Sequence, residues 1–205
     1  RKRARLGKRK LASIEMDARE QLERSLELLG CFPRPPVRPF VRPAEQADRI
    51  SNLDAMEHEA LALRRAWDLG TDAIPELASK LEEHGILILA SGIAGGQGFD
   101  GLSTRVDGFP VVVMGAGWPG DRQRFTLAHE LAHLVLEGRL SGQLDLEQAC
   151  NRFAGAFLAP RPSVTAELGR RRRWLEPREL YQLKHEYGLS MQAWVFRARD
   201  CGVVT

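Results

Sequence analysis

The spacing of hydrophobic positions along this chain changes twice, and each change marks a change of element. From Leu11 to Gly30 the apolar residues Ile14, Leu22, Leu26 and Leu29 recur among charged ones at helical spacing, which predicts an amphipathic helix. Pro33, Pro35, Pro36, Pro39 and Pro43 then exclude regular structure and predict an extended linker. Helical spacing returns from Ile50 to Gly70 and from Asp72 to Gly85, the second stretch carrying Leu77 and Leu81. The period then shortens. Ile86 to Ala90, Ser103 to Val106 and Pro110 to Met114 read as strands of a small sheet of about three, the last two joined at the Asp107-Gly108 turn. Five helices are expected after them: Asp121 to Gly138, Asp145 to Leu158, Pro162 to Gly169, Glu176 to Gly188, and Ser190 to Cys201, with Ser190 as an N-cap. The class predicted is α+β, mostly helical.

This pattern divides the chain into three regions. Residues 1–30 form a basic tail and helix, 31–49 a proline-rich linker, and 50–205 a compact domain that ends in a helical pair over 176–202. The 205 residues, 43% hydrophobic and 28% charged, suffice for one good-sized core with an appendage. No apolar run approaches the roughly 20 residues that cross a bilayer, so no membrane partner and a cytoplasmic address are expected. Cys31, Cys150 and Cys201 stand far apart and form no CxxC, so they are expected as free thiols. Arg1, Lys2, Arg3, Arg5, Lys8, Arg9 and Lys10 carry seven positive charges, which against a total of +3 leaves the remainder at −4. That tail could touch nucleic acid phosphates, although a solvated helix start is the commoner use of such a run. The chain opens on Arg1 rather than Met, which points to sequence upstream.

The chemistry concentrates in one predicted helix. Phe125-Thr-Leu-Ala-His129-Glu130-Leu-Ala-His133-Leu-Val-Leu136 sets H-E-x-x-H in an otherwise apolar stretch. At 3.6 residues per turn, His129 and His133 lie one above the other about 6 Å apart and can converge on one metal ion. Glu130, about 100° further round, can reach a hydrolytic water instead. The surrounding leucines, alanines and valine predict a buried helix, where unpaired polar groups are costly and a zinc ion would satisfy them. A catalytic zinc needs a third protein ligand. Leu136 and Arg139 stand where a metzincin has Gly and His, which excludes that class. Glu147, on the next helix with Asn151 one turn further on, is the better candidate, with Glu137, Asp145 and His185 as rivals. Asn151 would then orient a ligand from behind, or be an ordinary half-buried amide.

These segments resemble the ImmA/IrrE metallopeptidase family. Arg122 to Leu136 is similar to its R-x-R-F-T-x-A-H-E-L-G-H block, and Glu147 to Pro160 to its E-x-x-A-N-x-F-A-x-x-L-L-x-P block. Cys150, Ala132 and Ala159 replace the usual alanine, glycine and methionine. Leu180 to Ser190 looks like the family's closing helical pair. The resemblance implies a zincin-like, gluzincin-type domain with His129, His133 and Glu147 as zinc ligands and Glu130 as general base. It further implies a protein substrate, a helix-turn-helix repressor, in stress or mobile-element gene regulation. In one branch a DNA-binding helix-turn-helix domain precedes the peptidase, and Arg1 to Leu6 looks like the exit from one. The oligomeric state is open.

Other signals weigh less. Gly115-Ala-Gly-Trp-Pro-Gly120 spells G-x-G-x-x-G, but it leads into the H-E-x-x-H helix and then another helix, not a Rossmann unit. Gly92 to Gly101 reads as a flexible connection, and Arg170 to Arg173 as a solvated basic terminus. Glu176 to Cys201 imitates a DNA-reading helix pair, with Gln192, Arg197 and Arg199 on offer. Met191, Trp194, Val195 and Phe196 look core-like there and argue for packing on the domain instead. The alternative function is therefore a non-catalytic regulatory or DNA-binding module that uses a peptidase-like fold as a sensor.

Overall fold

The computed structural model describes residues 8–33, 40–45, 49–92, 99–106 and 108–204, without the side chains of 8, 10 and 11. Among them run α1 (Lys8–Gly30), α2 (Ala55–Ala66), α3 (Leu77–Glu83), β1 (Leu87–Ser91), β2 (Gly101–Val106) and β3 (Phe109–Gly115). Next come α4 (Gly120–Leu136), α5 (Leu146–Leu158), α6 (Arg161–Leu168), α7 (Pro177–Tyr187) and α8 (Met191–Asp200). The class is α+β and mostly helical, as the periodicity predicts. No described helix is long and apolar enough to cross a membrane. The start of the basic tail, most of the proline run, the glycines at 95, 96 and 98 and the turn residue Asp107 lie outside the described residues.

By its internal contacts the chain divides into two units, Arg1–Val41 with Glu76–Pro119, and Arg42–Pro75 with Gly120–Thr205. The first holds the sheet, in the order β1-β3-β2. The central β3 runs parallel to β1, from Leu87 opposite Val111 to Ser91 opposite Gly115, and antiparallel to β2. A strand covered on both faces must be apolar throughout instead of alternating, and Val111, Val112 and Val113 are all buried. On one face Leu89, Phe99, Val111 and Val113 pack with Ile14 and Leu22 of α1. Ser91 Oγ donates to Asp17 at 2.7 Å, and Gln21 Nε2 donates to Asp17 and to the Ala90 carbonyl. The helix set apart at 1–30 by its sequence thus lies on the sheet over its described residues. Ile14 and Leu22 are eight positions apart, a little over two turns, and so share the face that packs there.

The second unit is helical. Its most extensive contact is between α4 and α5, with α2 against α5, and with α7 and α8 packed as a pair. The α7–α8 turn needs Gly188: its φ is +61°, and a Cβ there would meet Arg124 Cδ at 2.5 Å. Gly155 of α5 serves a close approach, since a Cβ would stand 2.7 Å from Cδ of Arg197 on α8. Asp145 and Ser190 cap α5 and α8 by accepting from the amides of Gln148 and Ala193. Buried Arg64 donates to the carbonyls of Leu69, Gly70, Asp72 and Phe157, tying the turn after α2 to the end of α5. Its burial draws its pKa down to about 10.

The end of α4 is held from two sides. Ile50 exchanges backbone hydrogen bonds with Arg139 and Ser141, both 2.9 Å. Arg139 also pairs with Glu59 of α2, the two side chains 3% and 0% exposed. Breaking a buried pair leaves a charge without its counterion, so Glu59→Ala is expected to lower unfolding stability by about 3 kcal/mol. Adding Arg139→Met should recover part of that loss, and urea unfolding of the single and double variants measures both.

Candidate metal centre

Helix α4 brings its polar residues to one place because they are four and one apart on a helix that is otherwise buried. His129 and Glu130 are 2% and 4% exposed, while His133 at the next turn is half-buried. The two imidazoles meet edge to face, their centroids 4.9 Å apart, with Nε2 of one 3.2 Å from Nε2 of the other. One donor atom each from His129, Glu130 and His133 lies within 4.8 Å of the others. From the first turn of α5 the Glu147 carboxylate approaches both rings, 3.5 Å from His129 Nε2 and 3.5 Å from His133 Nε2. One turn further along α5, Asn151 Oδ1 stands 2.9 Å from His129 Nδ1.

The pairing of 133 with 147 and of 129 with both 147 and 151 means that α4 and α5 run antiparallel at this level. An amide oxygen can only accept, so His129 Nδ1 carries a proton, which in the neutral ring leaves the Nε2 lone pair facing the Glu147 side. The two imidazole nitrogens, 3.2 Å apart, then face the Glu147 carboxylate, each 3.5 Å from a different one of its oxygens. A proton could serve one such pair, whereas one cation serves all three. Tetrahedral bonds of about 2.0 to 2.1 Å, usual for zinc, would set such donors about 3.3 to 3.5 Å apart. The residues present therefore fit a small, nitrogen-preferring divalent ion, with His129, His133 and Glu147 able to hold it. Glu130, on the same helix but about 100° round from His129, is placed beside such an ion.

The rival ligands are used elsewhere or lie outside the group. Asp145 spends its carboxylate on the α5 cap. Glu137 is exposed beyond the end of α4, and His185 on α7 stacks edge-on with Tyr181. Tyr187 is buried and donates to Glu167 at 3.2 Å; burial, then the Glu167 charge, push its pKa to about 12. Glu147 keeps half its side chain exposed, so it is at once a first-turn acid and a partner of both histidines.

Helix α8 differs from expectation. Trp194 is fully buried, but Val195 and Phe196 are 38% and 54% exposed, not core. Arg197, which the rival DNA-reading motif would need free, is buried and pairs with Glu57 of α2 at 2.6 Å while donating Nε to the Ala159 carbonyl. Gly155 leaves space on α5 for the arginine, since a Cβ there would stand 2.7 Å from Arg197 Cδ. Nearby carboxyls shift in opposite directions. Burial pushes Asp200 up, beyond what Arg152 and Arg197 pull down. Burial also raises Asp121, but the Lys184 hydrogen bond and charge outweigh it and hold that carboxyl below the ordinary value. Of the basic run, Arg170, Arg171 and Arg173 are exposed, and Arg172 pairs with Glu179. The cysteines are free thiols.

Comparison with known proteins identifies the fold and the family. Among solved structures, a Mycobacterium tuberculosis transcriptional regulator matches at 15% identity with a TM-score of 0.50, over 69% of this chain. The match spans 45% of that protein, and at this identity it speaks for the fold alone. No curated protein matches the chain. The family model for the IrrE N-terminal-like domain matches residues 81–199, more than half of the chain and all of the centre formed by His129, Glu130, His133 and Glu147. The chain belongs to the ImmA/IrrE peptidase family and carries its metallopeptidase-like domain.

Proposed function

We propose that this protein is a zinc-dependent endopeptidase with His129, His133 and Glu147 as the metal ligands and Glu130 as the general base. The observation that carries the reading is a pair of imidazole nitrogens 3.2 Å apart, each 3.5 Å from one oxygen of the Glu147 carboxylate, beside a buried glutamate. Zinc held there would supply a Lewis acid that polarises the scissile carbonyl and acidifies water. Glu130 takes a proton from the attacking water as its oxygen bonds to the carbonyl carbon. It then passes that proton to the amide nitrogen as the C–N bond breaks, so water is divided between the new acid and the new amine. Asn151 keeps the His129 ring in one tautomer and one orientation, the role such outer partners play for ligating histidines.

The proposed partner is a protein, in particular a helix-turn-helix repressor, and the proposed setting is control of stress or mobile-element genes in the cytoplasm. Family membership supports that substrate class. A sensor without catalysis is the second reading. Its main sequence support weakens with Arg197 buried in an ion pair.

Glu130→Gln should keep one zinc per chain by metal analysis and reduce peptide hydrolysis by about 10²- to 10⁴-fold; undiminished turnover would refute the general-base role. Asn151→Ala should weaken zinc affinity by about 10- to 100-fold in a chelator competition. Removing zinc by chelation should stop hydrolysis, and adding it back should restore it.

A further inference from the structure

A second feature of the helical unit adjoins the centre. A cavity of 690 Å³ opens between the first half of α4, α5 and α8. Asn151, whose oxygen holds His129 Nδ1, lines it, as do Gln148, next to Glu147, and Phe125, one turn before His129 on the same face of α4. The cavity therefore begins about one helical turn, some 5 Å, from the proposed ligands. Its size lies within the roughly 300 to 1,000 Å³ of small-ligand sites and exceeds a single side chain.

The walls indicate what fits. Leu53, Phe125, Ala193 and Phe196 make the apolar part, and Phe196 leaves over half of its surface open. An aromatic ring so exposed beside a cavity has apolar area for an occupant to cover. Four of the five charged residues that line it are engaged in ion pairs. Arg152 pairs with Asp200 and Asp54, Arg197 with Glu57, and Asp121 with Lys184. A charged occupant would lose hydration among groups already engaged, whereas a neutral one meets no such cost. Exposed Gln148 and Gln192 at the rim offer both donors and acceptors, as an extended peptide backbone requires.

We infer that this cavity is the subsite that receives a large neutral side chain, of the phenylalanine or leucine kind, from a peptide substrate beside the scissile bond. Phe125 and Phe196 are its specificity-determining walls. The inference rests on the peptidase reading for its chemistry, though not for its binding.

The test uses zinc-loaded full-length protein and quenched-fluorescence peptides of Gly and Ser that differ at one position: Phe, Leu, Ala, Glu or Lys. The Phe and Leu peptides should be cleaved with kcat/KM at least about tenfold above the other three. Phe196→Ala should bring this preference to near unity, and Phe196→Leu should retain it. Since Phe196 is more than half exposed, its loss should leave the fold intact, which circular dichroism checks. Ala193→Trp, which fills the cavity from the same helix, should also abolish the preference. In parallel, Glu130→Gln protein should bind the labelled Phe peptide by anisotropy, at least about tenfold more weakly when Phe196→Ala is added. Binding that depends on Phe196, without cleavage by the unaltered protein, keeps the subsite and ends the peptidase reading. Cleavage with a preference that Phe196→Ala leaves unchanged overturns the subsite and keeps the peptidase. A folded protein that neither cleaves nor binds overturns both.

Discussion

The level at which α5 returns along α4 is the constraint on which the rest of the candidate site depends. Each helix carries a pair of polar residues four apart, His129 with His133 and Glu147 with Asn151, and the two pairs meet only in one register. Advancing α5 by a single residue would turn its face by about 100° and carry the carboxylate away from both rings. Several contacts hold that register. The Asp145 cap fixes where α5 begins, the Ile50 bridge and the Arg139–Glu59 pair fix where α4 ends, and stacked Phe153 and Phe157 seat α5 in the core. A metal-ligand set needs placement within a few tenths of an ångström, and a helix pair locked at both ends supplies it better than loops do.

The same unit buries an unusual amount of cationic side chain, and each buried arginine has an assigned task. Arg64 collects four carbonyls, Arg139 answers Glu59, and Arg197 answers Glu57 across α2 and α8. Guanidinium groups suit this work because their donors lie in a plane and fork toward several acceptors at once. One consequence is that the closing helical pair, whose sequence imitates a DNA-reading motif, turns Arg197 toward the protein. Another is that most of the charges bounding the cavity beside the centre are engaged in ion pairs, which leaves its aromatic walls to set what it accepts.

Much of this is legible from single residues and their spacing, and the failures are specific. The strands, the helices from residue 120 onward and the cap at Ser190 arise from local periodicity and local hydrogen bonding, and they are found within a residue or two of the predicted ends. Glu147 is harder, because its sequence position also suits a first-turn acid favoured by the helix dipole. Asp145, a rival ligand on paper, turns out to be the capping residue. Phe196 and Arg197 exchange their expected places, since hydrophobicity predicts Phe inside and Arg outside unless something opposite makes room. Gly155 makes that room, 42 positions earlier in the chain.

What the amino-acid order determined by itself is whatever one helical or strand segment decides alone. That covers the stacking of His129 over His133 with Glu130 a third of a turn away, the unbroken apolar run of β3, and the residues able to cap each helix. Only tertiary structure decided that Glu147 faces both imidazoles, that Asn151 holds the first of them, that Ile14 and Leu22 lie on the sheet, and that Phe196 opens onto a cavity. The physical reason is range. Backbone periodicity repeats every two or 3.6 residues and can be read in a short window, whereas the level and rotation of one helix against another depend on side chains spread across the unit.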